Sequence, residues 1–551
     1  MLPCCCTCSQ EQHDYIEGVV CKQEDINENE MKILPLGDNE GKILLIKQKG
    51  ELHAIGTKCT HYGALLHTGA LGEGRVRCPW HGACFNIKTG DIEDYPGLDS
   101  LPCYKVRIDE AGLVHVKAKR KDLDINKRVK DMSARDSENI KTVVIVGGGP
   151  AGATCAESLR QEGFTGRIVM ICRENVVPYD RIKVSKVLDF DVQKAALRPP
   201  TFYDDHKIET KLGVEAIGLD TTQNIVKLSN NENLKYNDLF ICTGSKPRMP
   251  NMPGIVLGLG FIGMEAAAYC INKCASITVI GRDTVPLRAI FGTDIGDRIK
   301  KEHEAKGVKF IFQNNIKQFI PKEDEENVLA KVELTDGQIL PADIVVVGIG
   351  STFYTNWLKE SFVKMRNDGT IIVNEHLRTN VENVYAGGDI AYAPLYGSDD
   401  TLAAIGHYSL AHYHGKVAAQ NICGKETPLK TIPFFWTNLL GRNYRYAATI
   451  SNPIQGVSFI LFSGHGKPTS IKIHGSLDKL EFFAYYLKDG KVIGMSSVNA
   501  DPIVSDFANM LYEEKALTEE EINTDPFGWM RNKPKNALTR FQDSFLVDVK
   551  V

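Results

Sequence analysis

No stretch of this 551-residue chain approaches the roughly 18 uninterrupted apolar residues of a membrane-spanning helix. The longest apolar runs, such as "ADIVVVGIG", read instead as buried strands of a parallel sheet. Net charge is also small. A formal −4 gives no reason to expect a nucleic-acid partner. The N-terminus lacks the basic region and apolar core of a signal peptide, and Glu11, Asp14 and Glu17 come early for a transit peptide. The expected location is cytoplasmic or mitochondrial. Cysteine is plentiful at fifteen residues, but most are scattered singly through apparent strands and helices, as thiols packed in a reducing compartment are. The exception is Cys4, Cys5, Cys6 and Cys8. This cluster suits lipidation and peripheral membrane attachment, metal binding, or no role at all; the Met-Leu start excludes N-myristoylation.

The chain is too long for a single core. Short alternating runs such as "GKILLIKQKGELHAIG" read as a small antiparallel β domain over 17–118, after a Cys-rich tail over 1–16. Residues 119–140 are densely charged with no hydrophobic face and read as a linker. From Lys141, strands alternate with helices and glycine-rich turns, an α/β texture. Residues 429–551 mix strands with the helical stretch "DPIVSDFANMLYEE" and read as one C-terminal α+β domain.

Two clusters in the β domain each pair a thiol with an imidazole: Cys59-Thr60-His61 and Cys78-Pro79-Trp80-His81. A tetrahedral zinc site would favour Cys-x-x-Cys or His-x-x-x-His spacing. A Rieske [2Fe–2S] centre needs the mixture seen here, because two thiolates hold one iron and two imidazoles the other. The stretch resembles the Rieske pattern Cys-x-His … Cys-x-x-His, with Gly63 and Gly82 in the family's places. The resemblance implies Cys59, His61, Cys78 and His81 as ligands. It makes Cys84 no ligand and His67 a surface histidine. The extra cysteines that staple cytochrome-type loops are absent, Ala64 and Trp80 standing there. The hydroxyls of high-potential relatives are absent too, replaced by Ala83 and Phe85. Fewer hydrogen bonds to the cluster place its potential low, about −150 mV.

In "KTVVIVGGGPAGATCAESLR" a strand precedes Gly147-x-Gly149-Pro150-x-Gly152 and a helix follows, with Glu174 at the distance suited to a ribose hydroxyl. "DLFICTGSKPR" and "NVYAGGDIA" resemble the second and third flavin signatures of two-dinucleotide flavoprotein reductases. The resemblance puts FAD in the first fingerprint, with Thr243, Gly244 and Asp389 at the cofactor and Asp389 on the ribitol. "VLGLGFIGMEAAAYC" carries a second fingerprint, Gly258-x-Gly260-x-x-Gly263, followed by Glu265, in the position of an NAD(P)H domain. After "SITVIGRD" the usual acid for a ribose 2′-hydroxyl is missing. Gly281 and Arg282 stand there, and an arginine can accept a 2′-phosphate, so NADPH stays open beside NADH. Only Ser245 to Leu257 join the second flavin signature to the second fingerprint, where the family has several tens of residues. The NAD(P)H domain reads as shortened at its start.

The Cys-x-x-x-x-Cys of disulfide reductases is absent, since Cys155 and Cys172 are too far apart. "VPYDRIKVSK" stands there instead. It resembles the "PYDRPPLSK" of ferredoxin reductases and apoptosis-inducing factors, which places Arg181 and Lys186 against the flavin. "IPFFWTNLLGRNYRYA" resembles their later aromatic stretch, with Trp436 by flavin or nicotinamide. With the Rieske pattern in front, the chain resembles the Rieske-bearing apoptosis-inducing-factor-like reductases. The resemblance implies catalytic roles for Arg181, Lys186, Glu265 and Trp436. It implies FAD-binding parts over 141–252 and 376–428, an NAD(P)H domain over 253–375 between them, and a C-terminal reductase domain over 429–551. The multidomain fold is thus a Rieske β domain, then an α/β two-dinucleotide reductase. The activity is NAD(P)H-dependent FAD oxidoreduction that feeds the cluster and then an unidentified acceptor, the linker letting the Rieske domain swing. Two rivals stand. One is a slow-turnover NAD(H)-sensing or pro-apoptotic signalling protein. The other is a Rieske oxygenase with mononuclear iron at His407 and His412 and a carboxylate from Asp399 or Asp400.

Overall fold

The alternating runs of the N-terminal region become strands β1 (Tyr15–Lys22), β2 (Met31–Leu36), β3 (Gly41–Gln48) and β4 (Glu51–Ile55). Short strands β5 (Ala70–Gly72), β6 (Arg75–Arg77), β7 (Cys84–Asn86) and β8 (Ile92–Asp94) follow, then β9 (Cys103–Ile108) and β10 (Leu113–Lys119). The computed structural model describes residues 14–37, 41–186, 191–247, 258–348, 350–397, 401–448, 468–531, 541 and 546–549. The chain divides into two units, residues 1–131 with 500–542, and 132–499 with 543–551. The N-terminal cysteines lie outside the described residues.

In the first unit one antiparallel sheet runs β1-β10-β9-β4-β3-β2 and a second runs β5-β6-β7-β8. Along β10, Val114, Val116 and Ala118 turn inward at every second residue onto Ile16, Ile43, Leu45 and Tyr104. Lys49 and Gly50 both have positive φ, 54° and 75°, so β3 and β4 join through a two-residue hairpin whose twist suits the strands. The second sheet presents the loops that carry Cys78 and His81.

The charged stretch after β10 begins with a short helix, α1 (Arg120–Asp124). It is tied down rather than free. Arg128 exchanges backbone hydrogen bonds with Ser100 at 2.9 and 2.7 Å, and its guanidinium reaches Leu101 O and Asp91. Ser133 N donates to Arg160 O at 2.9 Å, and Asp136 N to Thr165 O at 2.9 Å. The charges on each side are spent on specific partners within their own unit, and the boundary between the two units, at 131/132, falls inside the stretch read as a linker.

In the second unit β11 (Thr142–Val146), helix α2 (Pro150–Gln161) and β12 (Arg167–Cys172) open a parallel sheet. Helix α3 (Arg181–Lys186) precedes β13 (Ile208–Leu212) and β14 (Asp238–Ile241). Val143 to Val146 are consecutively buried, as strands covered on both faces are. Near the second fingerprint come helix α4 (Phe261–Cys270) and the parallel pair β15 (Ile277–Ile280) and β16 (Val308–Ile311). "ADIVVVGIG", expected as a buried strand, forms none among its described residues, and Ile344 is 78% exposed. A parallel strand needs neighbours, and among the described residues none is paired to this run. Strand β17 (Val384–Ala386) completes the first sheet in the order β13-β12-β11-β14-β17. Helix α5 (Tyr408–Ile422) then packs on α2, so closely that a Cβ on Gly415 would lie 2.2 Å from Ala151 O.

Strands β18 (Phe434–Leu439), β19 (Arg442–Ala448), β20 (Ser470–Ser476), β21 (Glu481–Lys488) and β22 (Lys491–Val498) form an antiparallel sheet, with Leu546–Val549 at its edge. The chain then returns to the first unit as helix α6 (Ile503–Tyr512), whose residues 503–511 are all buried. The stretch expected as one C-terminal domain is therefore shared between the units. A helix covered on every side needs more neighbours than one sheet face supplies. No helix among the described residues is long and apolar enough to cross a membrane.

Candidate functional site

The two Cys-His loops have the same local geometry. Cys59 N donates to Ala64 O at 2.8 Å, and Cys78 N to Ala83 O at 2.7 Å. Gly63 and Gly82 turn each loop at φ 80° and 71°, a region that favours glycine. Cys59 and Cys78 are 2% and 1% exposed, and their thiols meet. The Cys78 thiol, with burial, pushes the Cys59 thiol well above its ordinary range, while the N–H groups of His61 and Tyr62 pull it down. The rings of His61 and His81 meet edge to face, with centroids 4.9 Å apart. Thiol thus faces thiol and imidazole faces imidazole. Among the described residues no three His, Cys, Asp or Glu side chains converge as ligands of a single ion would. This division fits a two-iron cluster better than one tetrahedral zinc. Ala64, Ala83 and Phe85 are buried beside the loops, and Cys84 is buried among Arg75, Arg77 and Asp94. His67, expected at the surface, is half-buried.

The first glycine fingerprint lines a cavity of about 660 Å³. Gly147 has φ 139°, and a Cβ there would lie 2.2 Å from Cys242 O. A Cβ on Gly152 would lie 2.0 Å from Gly147 O, whereas Gly149 faces open space. Strand, turn and the start of α2 therefore close into a cradle in which only hydrogen fits at Gly147 and Gly152, while Gly149 leaves room, the shape a pyrophosphate needs. Glu174, Arg181, Thr243, Gly244 and Asp389 line the same cavity with Gly149 and Pro150. Arg181 Nη2 bonds Glu174 at 2.6 Å, and its guanidinium lies 4.7 Å over the Tyr179 ring. Burial pushes the Asp389 carboxyl up, opposed by the Ser245 hydroxyl, which donates to it at 2.7 Å, and by Arg181. Lys186 ends α3, and its side chain lies outside the described residues.

Tyr354 and His407 were not legible as cavity residues. Thr243 Oγ1 donates to Tyr354 O at 2.8 Å, and the Arg173 guanidinium stacks 3.9 Å from the Tyr354 ring. The contact spans 111 residues of sequence, so no local pattern announces it. Ser245 could have been found, since it adjoins the Cys242-Thr243-Gly244 signature.

The second fingerprint repeats the first. Gly258 has φ 144°, a Cβ on Gly263 would lie 1.9 Å from Gly258 O, and Gly260 faces open space. Arg282 is exposed just beyond β15. Glu265 accepts a hydrogen bond from Thr437 Oγ1 at 2.5 Å, tying α4 to β18. Trp436 stands perpendicular to His407 with ring centroids 5.3 Å apart, and His407 lines the first cavity. His412 is fully buried, with Nδ1 2.6 Å from Thr154 Oγ1. Asp399 and Asp400 lie outside the described residues.

His414 links α5 to the loop of Asp389. Its Nδ1 accepts from Gly388 N at 3.1 Å, and burial holds its pKa down to about 4. An unfolded histidine titrates near 6.5, so the unfolded chain takes up this proton first. Stability is therefore full above about pH 6.5 and falls as the pH drops to about 4, by about 3 kcal/mol. His414→Gln keeps an acceptor but does not titrate. Urea midpoints at pH 7 and 4.5 should show a smaller acid loss in the variant, and equal losses would assign the slope to other groups.

Two families match the sequence. The Rieske [2Fe-2S] domain matches residues 17–105, and the pyridine nucleotide-disulphide oxidoreductases match 141–255 and 255–415. Apoptosis-inducing factor 3 of Homo sapiens is 36% identical, covering 94% of this chain and 89% of that protein. Rhodocoxin reductase of Rhodococcus erythropolis is 27% identical, covering 73% of this chain and 96% of its own. The solved covalent putidaredoxin reductase–putidaredoxin complex shares the fold at a TM-score of 0.64 and 21% identity, over 71% of this chain and 97% of that one. The cofactors are accordingly FAD, NAD(P)H and a [2Fe–2S] cluster, and the activity is that of an NAD(P)H-dependent flavin oxidoreductase. This chain belongs to the pyridine nucleotide-disulphide oxidoreductases, carries a Rieske [2Fe-2S] domain in front, and is a member of the family of apoptosis-inducing factor 3.

Proposed function

We propose that the chain carries electrons from NAD(P)H through FAD to its own Rieske cluster, and from there to a one-electron acceptor outside it. The observation that carries this reading is the repeated cradle, Gly147, Gly149 and Gly152 matched in φ and in close approach by Gly258, Gly260 and Gly263. Bound together, the groups supply a hydride donor, a flavin that takes two electrons and gives them up singly, and a cluster that takes one. The protein's part is placement. The first cradle and Pro150 receive the FAD pyrophosphate, Glu174 a ribose hydroxyl, Thr243 and Gly244 the flavin side of the cavity, and Asp389 the ribitol. The second cradle receives the nicotinamide dinucleotide. Arg181 holds Glu174 in line, Trp436 braces His407, and Glu265 anchors α4 to the strand that carries Trp436. Lys186 is assigned to the flavin by resemblance. Cys59 and Cys78 hold one iron, and His61 and His81 the other. Relatives include proteins named as ferredoxin–NAD(P)⁺ reductases. Here a [2Fe–2S] domain is part of the same chain, which supports an internal first acceptor.

Two observations favour a second reading, slow NAD(H) sensing or death signalling. Beside the second fingerprint the described sheet has two strands, and the family match breaks at residue 255. Anaerobic titration with NADH, then NADPH, separates the two, with flavin followed by absorbance and the cluster by EPR. Reduction of both centres is expected. If dithionite reduces both and neither nucleotide does, the electron-transfer reading falls. The cytosol or the mitochondrion, with membrane attachment through Cys4, Cys5, Cys6 and Cys8, completes the proposal.

A further inference from the structure

Helix α6 arrives at the first unit from more than 400 residues downstream of the cluster loops, and it brings two polar side chains into an apolar contact. Ser505 and Asn509 are four apart and share one face, with Ile503, Val504, Phe507 and Ala508 buried around them. A buried polar group without a partner is costly, so where its bonds go matters. Ser505 Oγ donates to the carbonyl oxygen of Cys78 at 3.1 Å, in a buried contact. Asn509 Oδ1 accepts from Arg77 Nε at 2.9 Å, and its Nδ2 donates to Ala70 O at 3.3 Å. The fit is close, since a Cβ on Gly72 would come within 2.9 Å of the Asn509 amide.

Arg77 immediately precedes Cys78 and is 0% exposed. Its Nη1 donates to Gly82 O at 3.0 Å and its Nη2 to Asp94 at 2.7 Å. The guanidinium is therefore a strap across the loop that bears Cys78 and His81, and Asn509 holds its inner edge. The contact extends outward, with the Arg75 guanidinium 3.7 Å over the Tyr512 ring and Glu513 accepting from Glu73 N at 2.8 Å.

We infer that Ser505 and Asn509 are positioning residues of the Rieske centre, through which the chain's C-terminal segment holds the second cluster loop and raises the cluster's tendency to accept an electron. This rests on the Rieske reading of Cys59, His61, Cys78 and His81. The sign follows from charge. A reduced cluster is more negative, so a hydroxyl donating to a ligand's peptide favours reduction, and so do the N–H groups that Arg77, its charge shared with Asp94, turns onto the loop. Helix packing alone would give the same burial, but would not tie both polar groups to the loop.

The test uses the full chain carrying Ser505→Ala, Ser505→Thr or Asn509→Leu. Iron content, the EPR spectrum and an EPR-monitored redox titration are read beside thermal stability. Ser505→Ala should keep its iron and lower the cluster's midpoint, so that at fixed potential the reduced-to-oxidised ratio falls about threefold to tenfold, the worth of one hydrogen bond. Ser505→Thr should restore it, and the flavin midpoint should not move. Asn509→Leu should lower the cluster midpoint as well. If that variant loses its iron, the single hydroxyl removed in Ser505→Ala carries the test. Unchanged midpoint and spectrum with only a lower melting temperature would overturn the inference. A wild-type chain that holds iron without a Rieske signal would instead overturn the cluster reading, and this inference with it.

Discussion

Replacing Cys78 by serine should abolish the Rieske EPR signal and cut NADH-driven reduction of a one-electron protein acceptor such as cytochrome c by more than about 100-fold, beyond the usual range for outer-shell changes at metal sites. Cys78 is 1% exposed and its thiol meets that of Cys59, so it is central to the loop pair. A serine hydroxyl is a harder donor that stays protonated, and it cannot replace a thiolate on iron. The proposed flavin cavity is lined by residues of the other unit, from Val146 to Ala411. FAD content and NADH-driven reduction of a dye that takes electrons from flavin should therefore stay within about twofold, as for a substitution outside the site. Cytochrome c reduction that survives the substitution would mean that electrons leave from the flavin directly, and the Rieske domain would lose its place on the path.

The parts legible in the sequence are those whose geometry is local. Cys59-Thr60-His61 and Cys78-Pro79-Trp80-His81 each lie within a single loop with the same backbone geometry, so the resemblance to the Rieske pattern could be carried by adjacent residues. The glycine fingerprints are local for the same reason, because the Cβ of Gly152 is forbidden by the carbonyl of Gly147, five residues away. What distant segments build was not legible. The Ser505 bond to Cys78 spans 427 residues and the Asn509 bond to Arg77 spans 432. "DPIVSDFANMLYEE" announced a helix, but not that it would leave the reductase unit. "ADIVVVGIG" has the composition of a buried strand, yet composition does not supply a partner strand. Ile344, 78% exposed, records that lack. The charged residues of 119–140 looked like solvated linker because charge was visible in the sequence while its partners, Asp91 for Arg128 and Lys130, were not.

Gly263→Val should separate hydride entry from everything downstream of it. A Cβ at this position would lie 1.9 Å from Gly258 O, a backbone atom that cannot swing aside as a side-chain tip can. Relieving the clash means pushing α4 off the turn, which widens the cradle and removes the backbone amides from the pyrophosphate. Overpacking of this kind costs about 1–3 kcal/mol, and taken from nucleotide binding in the cradle it should cut NADH-driven flavin reduction at low NADH by about 10- to 100-fold. The first cradle is separate and intact, so FAD content and dithionite reduction of both centres should match the wild type. Gly152→Val is the mirror experiment, because its Cβ would lie 2.0 Å from Gly147 O and the expected loss is FAD itself. The pair also decides between the two functional readings. If Gly263→Val removes a nucleotide-driven reduction that the wild type performs at catalytic rate, the second cradle is a working hydride port. If wild type and variant are equally slow with NADH while both bind FAD, the second cradle does not deliver hydride, and the sensing reading gains the ground that the oxidoreductase reading loses.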